Sequence, residues 1–171
     1  MKLVEPFKEM EKEFIAMAAD YKNSGEVLYQ LALDRNFNFV EYVESVLNQA
    51  MPEHLKPGFV PSSAYWMVND SNEIIGTIRV RHYLLPHLEL EGGHIGYDIS
   101  PSMRKKGYGT ILLKLGLEKA KEIGIQKALV TCDSDNIGSS KIIKKNGGIF
   151  ENEIELPETG KLVSRYWVEI G

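Results

Sequence analysis

The stretch that most constrains this chain runs from Ile95 to Leu113: Ile-Gly-Tyr-Asp-Ile-Ser-Pro-Ser-Met-Arg-Lys-Lys-Gly-Tyr-Gly-Thr-Ile-Leu-Leu. Ile95, Tyr97 and Ile99 alternate as the buried face of a strand does. Ser100-Pro101 stops that strand, because proline has no N–H to give to a ladder. Arg104-x-x-Gly107-x-Gly109 then opens directly into an apolar, helix-like run. A strand, a glycine-bearing turn and a helix start aim several backbone N–H groups in one direction. The unpaired first-turn amides and the positive end of the helix dipole make such a turn a seat for an anion, above all a phosphate. Side chains at Gly107 or Gly109 would keep a ligand off the backbone. Arg104, Lys105 and Lys106 add positive charge around the same turn.

Two common phosphate loops do not fit. A Walker loop needs G-x-x-x-x-G-K-S/T, a spacing this chain lacks. A dinucleotide fingerprint needs a third glycine where this chain has Leu112. The motif instead resembles the R/Q-x-x-G-x-G/A pyrophosphate loop of the GNAT N-acetyltransferase superfamily. That resemblance implies acetyl-coenzyme A as cosubstrate, with Ile99, Arg104, Lys105, Lys106, Gly107, Tyr108, Gly109 and Thr110 around it, and implies no metal.

A second constellation follows Cys132, namely Asp133-Ser-Asp-Asn-Ile-Gly-Ser-Ser-Lys-Ile-Ile-Lys-Lys-Asn-Gly-Gly148. Asp135 or Asn136 suits the N-cap of a helix. The run also looks like a second family pattern, with Asn136, Ser139, Ile142 and Gly147 in place. The resemblance implies that Asn136 reaches the pantetheine amide and that Ser139, Ser140 or Lys141 lies toward the phosphate and adenosine end. The tyrosine that often protonates the leaving thiolate in this family falls at Ile143, which cannot donate a proton. Cys132 and Tyr166 are neighbours to consider, but a strand-end cysteine with no evident histidine partner reads as packing.

Acetyl transfer from a thioester to an amine needs a neutral amine, a polarised carbonyl and alignment of the two. A free backbone N–H near Tyr97 to Ile99, on a splayed strand, would polarise the carbonyl. His94 is the leading single titratable base, with Glu89, Glu91 and Asp98 as alternatives acting directly or through water. A regular strand would turn His94 away from the face of Ile95, Tyr97 and Ile99. A bulge after Gly92-Gly93 would change that.

The rest of the chain is read by periodicity. Lys2 to Val4 reads as a first strand, and a helix from Phe7 ends at Asn23-Ser-Gly25. A second helix starts near Asn38, with Glu41 placed as in a capping box. Residues 51–61 read as a loop, 64–69 and 74–83 as a strand and its return, and 84–93 as a connecting loop. A strand over 94–99, a helix over 107–123, a strand over 126–131 and a helix over 136–145 follow. A closing hairpin spans 149–156 and 162–170. The helix crossing between strands 94–99 and 126–131 makes that pair parallel. This order is that of the GNAT fold. The expectation is one mixed α/β (α+β) domain over 1–171: a mostly antiparallel sheet, one parallel pair splayed around the coenzyme, and helices on both faces.

At 171 residues the chain is long enough for a proper core. Its 20 basic and 24 acidic residues, net −4, argue against a broad basic nucleic-acid surface. No apolar run nears the ~20 residues that cross a membrane. One cysteine excludes an internal disulfide. A cytoplasmic N-acetyltransferase acting on a small-molecule or peptide amine is the expectation, with no nucleic-acid or membrane partner and a homodimer as the assembly to test. The competing reading is an acyl-CoA sensor of the same fold without turnover. A different nucleotide-phosphate binder is a third.

Overall fold

A computed structural model describes residues 1–171. The elements are β1 (Lys2–Val4), α1 (Glu11–Asn23), α2 (Phe39–Asn48), β2 (Ser62–Val68), β3 (Ile74–Arg81), α3 (Pro86–Leu90), β4 (Ile95–Ile99), α4 (Tyr108–Glu122), β5 (Lys127–Asp133), α5 (Ile137–Lys145), β6 (Ile149–Glu155) and β7 (Leu162–Glu169). They form two antiparallel sheets, β1-β2-β3-β4 and β5-β7-β6. The mixed α/β architecture and the element order match the expectation from sequence.

Each element has a local cause. Asn38 caps α2, its side-chain oxygen accepting from the N–H of Glu41 at 3.2 Å. Leu112, Leu113, Leu117 and Ala120 form the buried stripe of α4 and pack with Ile78, Val80 and Ile95 of the first sheet. Ile111, one position before this stripe, is exposed. Gly116 lets α4 approach the sheet, since a Cβ there would collide with the Ile78 side chain. On the opposite face, Phe14, Met17, Ala18 and Tyr21 of α1 meet Phe39 and Val43 of α2 over Trp66, Val68 and Ile74. Two cores therefore hold one sheet between them.

The segment 84–93, read from sequence as plain loop, contains α3. Pro86 sits in the first turn of that helix, where its missing N–H costs nothing. The splayed pair also differs in detail from expectation. β4 and β5 lie side by side but share no ladder. They meet at one junction, where the His94 N–H donates to the Leu129 carbonyl at 2.7 Å. Beyond it Gly96 and Tyr97 on one side, and Thr131 to Asp133 on the other, line an open cleft of about 290 Å³.

Candidate active site

The turn before α4 leaves a run of backbone amides unpaired. Lys105 has φ 61° and Gly107 φ 84°, so the backbone curls through two left-handed residues before the helix begins. The backbone N–H groups of Lys105, Lys106, Gly107, Tyr108 and Gly109 have no intramolecular acceptor. Open space surrounds Gly107 where a side chain would stand. Gly109 is needed for a different reason. A Cβ there would stand 2.5 Å from Ile142 Cδ1, so this glycine sets the approach of α4 to α5. Lys105 and Lys106 are exposed and in no ion pair.

Arg104, beside that turn, is engaged by two carboxylates. Its guanidinium donates to both carboxylate oxygens of Glu26, at 2.6 and 3.0 Å, and to Asp98 at 3.1 Å. Its Nε donates to the Ile99 carbonyl at 2.9 Å. Its side chain thus forms a clamp between β4 and the turn after α1. Thr110 is used within the turn and the helix pair: its N–H reaches the Gly107 carbonyl, and its own carbonyl accepts from Asn146.

Across the cleft, Asn136 caps α5 by accepting from the Ser139 N–H at 2.9 Å. Its amide NH₂ has no intramolecular partner, and the side chain lines the cleft with Ser139. The Tyr97 hydroxyl shares a 2.8 Å hydrogen bond with the Ser139 hydroxyl, spanning from β4 to α5. Burial pushes the Tyr97 phenol up to about 12, so it is a protonated donor at neutral pH. The Ser140 hydroxyl is shared with Tyr166 at 2.8 Å. Ile143 is fully buried in the core, away from the chemistry. Cys132 lines the cleft, but burial pushes its thiol up and it stays protonated.

Strand geometry supplies two further donors. The Ser100 N–H bonds across to Ile75 of β3, so the alternate N–H groups of Tyr97 and Ile99 face the other way, toward the unladdered cleft. Both are free to meet a developing negative charge.

His94 stands at the sheet junction, and this changes its reading as a base. Its Nδ1 accepts the Leu129 N–H at 2.9 Å. The neutral ring therefore carries its proton on Nε2, and its basic lone pair is already used. Burial and then the Arg81 charge lower its pKa from the ordinary value. Among the alternatives, Glu91 is paired with Lys161 and Asp98 with Arg104. The Glu89 carboxylate is in no ion pair and sits on α3.

Beyond these residues, a cavity of about 610 Å³ opens between α2, the 54–62 segment and α3, with Arg79 and Arg81 on its floor. A smaller one, about 270 Å³, shares those arginines and reaches Gly96 and Tyr97. Both arginines lie in the segment read from sequence as the return strand 74–83, where sequence reasoning passed over them. Their signal was the alternation Arg79-Val80-Arg81, which puts both cations on one face of β3.

Comparison with known proteins fits this geometry. A family model described as the Acetyltransferase (GNAT) family matches residues 26–147. The chain belongs to that family. Among solved structures, the microcin C7 self-immunity acetyltransferase MccE, in complex with acetyl-CoA and AMP, superposes with a TM-score of 0.70 at 15% identity, covering 98% of this chain and 91% of that one. RimL, the ribosomal L7/L12 α-N-protein acetyltransferase with coenzyme A, gives 0.68 at 17% identity over 98% and 92%. The Vibrio cholerae spermidine N-acetyltransferase with CoA and spermine gives 0.65 at 11% identity over 98% and 94%. No curated protein sequence matches the chain. At these identities the structural likeness bears on the fold. Family membership makes the GNAT chain an acyltransferase. No helix is long and apolar enough to cross a membrane.

Proposed function

We propose that this GNAT protein moves an acetyl group from acetyl-CoA to a primary amine by direct attack while both are bound. The observation that carries the proposal is the run of unpartnered backbone amides from Lys105 to Gly109 at the start of α4, together with a cleft that Tyr97, Asn136 and Ser139 line. These groups fit the coenzyme chemically. The amides and the free Lys105 and Lys106 charges suit a pyrophosphate, and the free NH₂ of Asn136 suits the carbonyl of a pantetheine amide. When bound, acetyl-CoA supplies an activated acyl group on a good thiol leaving group.

The chain's own residues do the rest. The free N–H groups of Tyr97 and Ile99 stabilise the charge that develops on the carbonyl oxygen. The Tyr97 phenol, held by Ser139, donates a proton to the departing sulfur, the part that Ile143 cannot play. His94 is a positioning residue that holds the two sheets together where the cleft begins. Because the His94 lone pair is in use, the amine loses its proton to water on the open acceptor side. Turnover then rises with pH through neutrality as the neutral fraction of an alkylamine, pKa about 10.4, increases.

Release of thiol from acetyl-CoA, followed over a panel of primary amines, tests the proposal. Amine-dependent release that falls in Tyr97→Phe is the expected result. Tight acetyl-CoA binding with no release for any amine would make the protein a sensor. Competition by ATP or NAD for the coenzyme site would make it a different nucleotide binder.

A further inference from the structure

The acceptor side of the cleft is basic in a protein that is acidic overall. The larger cavity is lined by Arg79, Arg81, Lys56, His54 and His87, and by no carboxylate. Net charge over the chain is −4, so this concentration runs against the composition. Neither Arg79 nor Arg81 is in an ion pair. Arg81 gives one nitrogen, Nη1, to the Gly92 and Gly93 carbonyls, at 3.3 and 2.9 Å, which fixes the guanidinium and leaves its other N–H groups free. The Arg79 side chain makes no intramolecular hydrogen bond. The carboxylates that do lie along the connected cavities are already engaged, Asp98 by Arg104 and both Glu91 and Asp133 by Lys161.

Two guanidinium groups two residues apart on one strand repel, and Arg81 registers this: burial first, and then Arg79, lower its proton affinity. A half-buried, fixed guanidinium with unused donors beside a second free one gains most from an oxyanion, which accepts two parallel N–H bonds from such a fork. The placement is also right for chemistry. Arg81 lines the two acceptor-side cavities and the coenzyme cleft as well, and Tyr97 is shared by the smaller cavity and the cleft. A molecule anchored on the arginines thus extends toward Tyr97, where the acyl group would arrive.

We infer that the acceptor is a small amine that also carries an oxyanion, a carboxylate or a phosphate, seated on Arg79 and Arg81. The inference rests on the acetyltransferase reading above and narrows it. A polyamine, with positive charge at both ends, is disfavoured by the same lining.

The test compares acceptors in matched pairs: O-phosphoethanolamine with ethanolamine, an α-amino acid with its amide, and spermidine. Thiol release should favour the oxyanion member, and the two pairs separate phosphate from carboxylate. In Arg79→Glu the KM for the oxyanion acceptor should rise by about ten- to a hundredfold, the range of one charge-assisted hydrogen bond. The preference over the partner lacking the oxyanion should collapse with it. Independently of turnover, O-phosphoethanolamine or the amino acid titrated into the coenzyme A-saturated protein should give heat that Arg79→Glu removes. Equal or better use of ethanolamine, the amide or spermidine overturns the inference. So does the absence of heat from both oxyanion amines. If acetyl-CoA itself does not bind, the acetyltransferase reading fails beneath it, which the same calorimeter reads first.

Discussion

His94 shows what one hydrogen bond does to a residue's chemistry. As acceptor of the Leu129 N–H it joins the two sheets and is not free to take a proton from substrate. His94→Ala leaves a partly buried N–H unpaired, a loss of about 1–3 kcal/mol, and should loosen the cleft. His94→Asn places an oxygen near the Nδ1 position and should keep most of the turnover. A base would be lost equally in both, so kcat for the two variants separates the roles. The lowered pKa of His94 also has a sign. The folded state holds the neutral ring while the unfolded chain titrates near 6.5. Its stability contribution is therefore full above about pH 6.5 and is lost as pH falls from there through the lowered folded value. His82 is shifted the same way by burial, so the measurement is the difference in melting temperature between wild type and His94→Asn, at pH 7.5 and 5.5. Wild type should lose more on acidification. Tyr97→Phe should lower kcat by about ten- to a hundredfold, at or below the lower end of general-acid effects, because a thiol leaves readily even unassisted. Its dissociation constant for acetyl-CoA, measured by calorimetry, should change little.

At the level of elements, the local devices were legible and the distant ones were not. The strand, the turn and α4 could be read because proline, glycine and the apolar stripe act over a few residues. The Asn136 cap could be read for the same reason, and it acts within three residues of chain. Asn136→Ala should cost about 1 kcal/mol of helix stability and also raise the apparent constant for acetyl-CoA. A stability loss alone would reduce Asn136 to a cap. By contrast, the Arg104 clamp reaches Glu26 over 78 residues, and the His94 bond reaches Leu129 over 35. Neither pairing has a local signature, so neither contact could be read from the sequence. α3 was missed because Pro86 signals both a loop and a first helical turn. The contacts that hold its segment on the second sheet are also non-local. They run from Lys161 to Glu91 and from Arg165 Nε to the Glu89 carbonyl.

Over the whole molecule, the function comes from a sheet that stops being continuous. Two cores hold the first sheet, the hairpin of β6 and β7 extends the second, and a single backbone junction links them before they part. The parting exposes strand N–H groups that a continuous sheet would consume, with the proposed anion seat toward α4 and a basic cavity, the proposed acceptor side, lined by Arg79 and Arg81. The measurement that tests this most directly is calorimetric titration of acetyl-CoA into wild type and Gly107→Glu, with melting temperatures taken in parallel. Gly107 has no neighbour within 4 Å of a side-chain position and a φ of 84°, so a glutamate there costs about 1 kcal/mol of backbone strain. It also sets a negative charge among the free amides. Saturable binding to wild type, lost in a still-folded Gly107→Glu, is the result predicted. Equal binding by a folded Gly107→Glu, or none by wild type, would contradict the account.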